Sequence, residues 1–237
     1  MKKLGVNIDH IATLRNARGE GHPNILFAAK YAFKHGANSI TIHLREDRRH
    51  IKDYDLKQIA NTNIPLNLEL AASKDMLKIA LKNKPNYICI VPEKRKEITT
   101  EGGLDLRRNT HLIKKIVKTF KNKKIRTSLF IDPNLNSIKL SKVIGTDCVE
   151  LHTGKLSTLI KKKLNYLNEL NKIKKCASLG KSLGLEIHAG HGLDYKTTKL
   201  LSKINEIHEY NIGHFIIGES VFYGLSKVIK NFKKLLK

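Results

Sequence analysis

From its first residues to its last, the chain alternates short apolar segments with amphipathic ones. The periodicity predicts strands over 4–7, 39–43, 65–69, 87–91, 126–131, 148–152, 186–189 and 206–212. Helical spacing fills the gaps, at 25–35, 54–61, 74–83, 112–122, 138–144, a long stretch at 157–183, then 195–204 and 225–236. Gly36, Asn83, Asn122, Gly145 and Gly184 supply stop signals at helix ends. Strand–helix alternation repeated about eight times is the pattern of a parallel α/β protein. Two architectures satisfy it. An open dinucleotide-type sheet carries a GxGxxG turn after its first strand, whereas here that strand runs into NIDHIATLRNARG. The expectation is a closed (β/α)8 TIM barrel, a single domain over 1–237 with extra short helices. Such a barrel carries its functional residues at the C-terminal ends of many strands.

The net charge of +24 invites a nucleic-acid role. The lysines argue against it, because in HLIKKIVKTFKNKKI and LIKKKLNYLNELNKIKKC they fill the polar faces of several helices. Aromatic residues are only 6% and tryptophan is absent, so no interleaved stacking surface is offered. An attraction for small phosphorylated metabolites is the better reading. No apolar run approaches the ~18–20 residues of a membrane span. The basic start MKKLGVNIDH is broken by Asn7 and Asp9 and is too short for a signal peptide. Cys89, Cys148 and Cys176 form no CxxC or Cys/His metal pattern, and such sparse, odd usage points to the reducing cytoplasm. Cys89 and Cys148 lie within apolar runs and are expected to be buried thiols.

The strand ends carry the chemistry. The first ends in Asn7, Asp9 and His10; the second in His43 and Arg45, followed by His50. The third carries Asn67 and Glu69, the sixth Glu150 and His152, the seventh His188 and His191, and the eighth leads into Asn211-Ile212-Gly213-His214. Taken singly, each has a bland explanation, an edge charge or a satisfied core histidine. In a closed barrel all would converge on one cavity. AGHGLD and NIGHFIIGES each set glycine amides beside a histidine. Barrel enzymes commonly hold phosphate with the loops after strands seven and eight and the N-terminus of a short extra helix, here HFIIGESVFYG. PEKRKEITTEGG after strand four reads as a mobile lid, with Gly102-Gly103 as its hinge. His188 and His191 alone do not make a metal site, and no cofactor motif is present.

GVNIDHIATLRNARG, ITIHLREDRRHI, NLEL, VPEKRKEITTEGG, ELHTG, AGHGL and NIGHFIIG together resemble the pyridoxine 5′-phosphate synthase family, in collinear order over essentially the whole chain. The resemblance implies a (β/α)8 barrel that assembles as a homo-octamer and needs neither redox cofactor nor metal. It implies condensation of 1-deoxy-D-xylulose 5-phosphate with 3-amino-2-oxopropyl phosphate, giving pyridoxine 5′-phosphate, inorganic phosphate and water. By the same resemblance His43 and Glu69 match proton acceptors, His191 a proton donor, and Glu150 a residue that stabilises intermediates. Asn7, Asp9, His10, Arg45, His50 and Thr99 match contacts to the sugar phosphate; Arg18, Gly192, Gly213 and His214 match contacts to the amino-ketone phosphate. The chain departs from the family at His188, at Glu219 and in GEGHPN after Arg18. An isomerase or epimerase of a phosphosugar is the competing reading, but one substrate phosphate leaves the Arg45/His50 cluster without a purpose.

Overall fold

The computed structural model describes residues 1–93 and 102–237. Eight parallel strands close into a barrel in chain order: β1 Lys3–Asn7, β2 Ser39–His43, β3 Leu66–Ala71, β4 Tyr87–Val91, β5 Arg126–Ile131, β6 Cys148–His152, β7 Glu186–Gly190 and β8 Ile207–Ile212. Around them run α1 Asp9–Arg18, α2 Ile25–Lys34, α3 Asp53–Ala60, α4 Lys74–Asn83, α5 Thr110–Asn122, α6 Leu135–Ile144, α7 Gly154–Lys161, α8 Leu167–Ser182, α9 Tyr195–Leu201, α10 His214–Tyr223 and α11 Leu225–Leu235.

Side chains alternate along each strand, and the two faces differ in chemistry. Leu4, Val6, Ile40, Ile42, Leu66, Leu68, Ile88 and Ile90 belong to the large apolar core, fully or almost fully buried. Each such side chain contributes about 1.5–3 kcal/mol. The intervening positions form the barrel interior, which in most such barrels is filled by Val, Ile and Leu. Here it is polar: His43, Asn67, Glu150, His188, Glu209 and Asn211 are all buried. Cys89, Val91 and Phe130 form a small apolar cluster separate from the main core.

Strands β2, β4, β5 and β6 have the boundaries read from the sequence, and α10 is the expected extra helix. Two expectations are corrected. The long helix over 157–183 is two, α7 and α8; Lys163 takes a left-handed φ of 54° and the Asn165 side chain accepts from the Leu167 amide. No glycine or proline announces that break. Helix α1, absent from the expected helices, begins at Asp9 itself and is capped by Gly19, whose φ of 75° suits glycine.

Helix α1 is fixed by Arg15, which is 3% exposed. Its guanidinium makes paired bonds of 2.6 and 2.9 Å to Asp55 on α3 and a third, 3.2 Å, to the His50 carbonyl. Asn16 adds bonds to the carbonyls of Arg49 and His50. The charged stretch after β2 is thereby pinned from beneath. Removing one partner strands a buried charge, so Asp55→Ala is expected to lower stability by about 3–5 kcal/mol. Urea unfolding should show the Arg15→Met/Asp55→Leu pair losing less than Asp55→Ala alone.

Candidate active site

The C-terminal ends of the strands meet at one mouth, starting from Asp9. Its amide and carboxylate exchange bonds with the Asn7 side chain, both 2.9 Å. Its other oxygen accepts from the His43 amide at 2.9 Å, tying β1 to β2. His50 Nδ1 lies 3.9 Å from the same carboxylate but accepts from the Ile51 amide at 2.9 Å. That ring nitrogen therefore carries no proton, and burial keeps the His50 pKa below its ordinary value despite Asp9.

His43 stands between two acids, with Nδ1 3.9 Å from Glu69 and Nε2 3.6 Å from Glu93. Glu93 also lies 3.7 Å from Arg45 Nε and accepts from the Glu46 amide at 2.8 Å. Burial pushes the Glu93 carboxyl up, but His43, that amide and Arg45 together hold it below the usual range. Sequence reading passed over Glu93 inside the expected lid. Its signal is its place: the first acid beyond β4, as His43 and Glu69 close β2 and lie near the end of β3.

Glu69 and Glu150 are both carboxyls raised by burial above their ordinary value. Burial, then Glu150, then Asp9 raise Glu69 well above the ordinary carboxyl value. Burial likewise lifts Glu150 to about 7, against the pull of His188 and a 2.7 Å bond from the Asn211 amide group. Gly190 on the neighbouring strand leaves the space in which the Glu150 carboxylate sits; a Cβ there would overlap it.

Across the mouth, the His152 and His191 rings lie 5.0 Å apart, and His152 Nδ1 is 2.9 Å from Asp132, just past β5. Asp132 was also missed, although IDPN places an acid directly after that strand. Burial, reinforced by His152 and Lys161, depresses His191 to about 4. His191 and Gly192 both take left-handed φ, 72° and 75°. A cavity of about 400 Å³ opens beside them, lined by Gly154, Lys155 and Thr158. Gly213 caps α10 and packs closely on Asn7, where a Cβ would stand 3.0 Å from the Asn7 Cβ. His214 begins that helix, and its ring meets His10 at 4.9 Å.

The expected residues thus gather, with two exceptions. Arg18, at the end of α1, has a side chain 77% exposed and 3.4 Å from Glu20, and no described contact brings it to the mouth. Thr99 and most of the expected lid lie outside the described residues. The proposed hinge is corrected in part: Gly103 packs so tightly on the backbone at Ile131–Asp132 that a Cβ would overlap it. A larger cleft, about 720 Å³, lies outside the barrel around α2 and holds none of the catalytic strand-end residues.

Among the described residues, one trio of metal-type ligands gathers: Cys148, Glu186 and His188. Arg126 already bonds Glu186 at 2.7 Å, so a guanidinium occupies the cation's role there.

The family described as pyridoxal phosphate biosynthesis protein PdxJ matches residues 4–237. A pyridoxine 5′-phosphate synthase of Pelagibacter ubique (strain HTCC1062) is 62% identical over 236 residues, covering 99% of each chain. One from Zymomonas mobilis is 48% identical, covering 99% of this chain and 91% of the relative. Among solved structures, KGPDC from Streptococcus mutans superposes with a TM-score of 0.67 at 12% identity, covering 100% and 98% of the two chains. A phosphoribosylanthranilate isomerase from Thermotoga maritima gives 0.60 at 12%, covering 100% and 98%. Both likenesses bear on the barrel alone.

With its pKa below the ordinary 6.5, His191 resists protonation in the folded chain. Its contribution to stability is present above about pH 6.5 and lost as pH falls through about 4. Titration of the ring by NMR should give a midpoint near 4, and added inorganic phosphate should move it upward.

Proposed function

This chain belongs to the pyridoxal phosphate biosynthesis protein PdxJ family, and on that premise we infer that it is a pyridoxine 5′-phosphate synthase. The observation that carries this is convergence: His43, Glu69 and His191, from three strands, face one mouth that also holds Arg45 and the glycine turns of β7 and β8. Its substrates are then 1-deoxy-D-xylulose 5-phosphate and 3-amino-2-oxopropyl phosphate. Arg45, His50, His10, Asn7 and Asp9 hold the first, with Thr99 as a further contact. Amides at Gly192 and Gly213, with His214, hold the second phosphate at the N-terminus of α10, where the helix dipole favours an anion.

The electrostatics suit a sequence of proton transfers. Burial, then the neighbouring Glu150 and Asp9, raise Glu69 well above the ordinary carboxyl value. A carboxylate raised in this way is a stronger base, as abstraction of a proton from carbon requires. Glu150, ionised, steadies the cationic imine formed when the amine condenses with the ketone and water leaves. His191 is neutral in the free enzyme. An arriving phosphate dianion raises its pKa and loads it with the proton that it then donates. His43, between Glu69 and Glu93, relays protons for the later dehydrations and ring closure.

Arg18, exposed at the end of α1, serves the amino-ketone phosphate through movement of its stretch or from a neighbouring copy. Val221, Phe222 and Tyr223 on α10 are 77, 83 and 56% exposed, and Phe27 on α2 is 66% exposed. Apolar surface of this kind supports self-association, and the homo-octamer of the family is the assembly proposed. No helix among the described residues is long and apolar enough to cross a membrane. Three buried free cysteines support a cytoplasmic location.

Formation of pyridoxine 5′-phosphate from the two phosphates, followed by product chromatography, tests the reading; no product from folded protein overturns it. Glu69→Gln should lower kcat by about 10²–10⁴-fold. Arg45→Lys should instead raise KM for the sugar phosphate, because a point charge replaces the planar fork. Sedimentation velocity should give the mass of eight chains, and a monomer would rule the assembly out.

A further inference from the structure

We propose that His188 is a positioning residue for this reaction, a fixed imidazolium in the floor of the barrel that keeps the Glu150 carboxylate ionised. The proposal rests on the synthase reading and adds a residue to it that touches neither substrate.

Its first support is register. Glu150 on β6 pairs with His188 on β7. Paired positions on adjacent strands lie about 4.8 Å apart and face the same way, so the imidazole is Glu150's lateral neighbour. The second support is an irregularity in the next strand. Ile187 pairs with Ile207, yet His188 pairs with Glu209, so β8 accommodates one extra residue, His208. That extra residue turns Glu209 inward, opposite His188. The third is charge. Glu186 accepts from His188 Nε2 at 2.8 Å, and Glu209 is 2% exposed with its Oε1 unpartnered among the described residues.

Three carboxylates, Glu150, Glu186 and Glu209, therefore surround one imidazole. Facing them from β5 is Arg126, 2.7 Å from Glu186 and 3.7 Å from Glu209, its guanidinium 4.0 Å from the Tyr87 ring of β4. Lys3 on β1 stands in register with Glu209. From β6 come the Cys148 thiol and His152, from β4 the Cys89 thiol, and from β3 Glu69. His208, at the rim, lies 4.0 Å from Glu186. Arg126 and Lys3 stand as cations against Glu150, Glu186, Glu209 and Glu69, and His188 adds the positive charge that lies in register with Glu150. Burial opposes that charge, but Cys148, Glu186 and Glu209 outweigh it and lift the His188 pKa to about 10. A group held so far above neutrality stays charged through the working range and acts as a constant field.

The variant to make is His188→Asn, which keeps a polar side chain and removes the charge. The acidic limb of its pH–rate profile should move up by about one to two pH units, the effect of one unit charge between neighbouring strands at an effective dielectric near 20. Turnover near neutrality should fall about tenfold and recover at alkaline pH. His188→Gln, which likewise removes the charge and keeps an amide, should shift the limb the same way, and it serves if His188→Asn does not fold. Carbon-13 NMR of Glu150 in the resting protein should report the same upward shift without turnover. An unmoved limb in both variants, or an equal loss at every pH, overturns the proposal. If the wild type makes no product while the Glu150 resonance still shifts, the synthase reading fails instead and the electrostatic one stands.

Discussion

Glutamates inside a barrel that would ordinarily hold aliphatic side chains are the constraint to which the rest of the interior answers. A buried carboxylate is costly unless it is bonded, paired or protonated. Glu150 takes a bond from Asn211, Glu186 bonds Arg126 and His188, and Glu93 gathers His43, Arg45 and a backbone amide. Among the described residues no such set of donors reaches Glu69, and burial beside Glu150 and Asp9 raises its proton affinity. The apolar material that stabilises the fold lies outside the strands, under the helices. This division leaves the interior free to be chemically active without undermining the core.

The rim is built on the same economy of partners. Asp9 serves β1 and β2 at once, and Arg15 holds α1 to α3 while it fixes the His50 carbonyl. The residues that would touch substrate are thus braced by groups further from it, which limits their freedom before any ligand arrives.

Much of this was legible in the chain. Outward-facing Ile and Leu at every second position set the strand ranges, and acids and histidines at their ends set the mouth. What escaped did so for physical reasons. Lys163 breaks a helix by adopting a left-handed conformation for which lysine has no preference. Glu93 and Asp132 lie just beyond strand ends, where polar residues are ordinary. Arg18, which the family resemblance assigns to the amino-ketone phosphate, lies exposed at the end of α1 beside Glu20. The parity of β8 was also hidden. HEYNI alternates well enough to be read as regular, yet the register with β7 slips by one at His208.

That slip makes part of the catalytic field a matter of reading frame. Side chains in a strand have a period of two, so whether the extra residue ahead of Glu209 is absorbed decides which face its carboxylate takes. Pairing that ran on regularly from Ile187–Ile207 would set His208 opposite His188 and send the Glu209 carboxylate toward the helices. Every charged residue would still be present in the chain. A one-position shift in how β7 and β8 pair, with no ionisable group gained or lost, would rewrite the charge of the barrel floor.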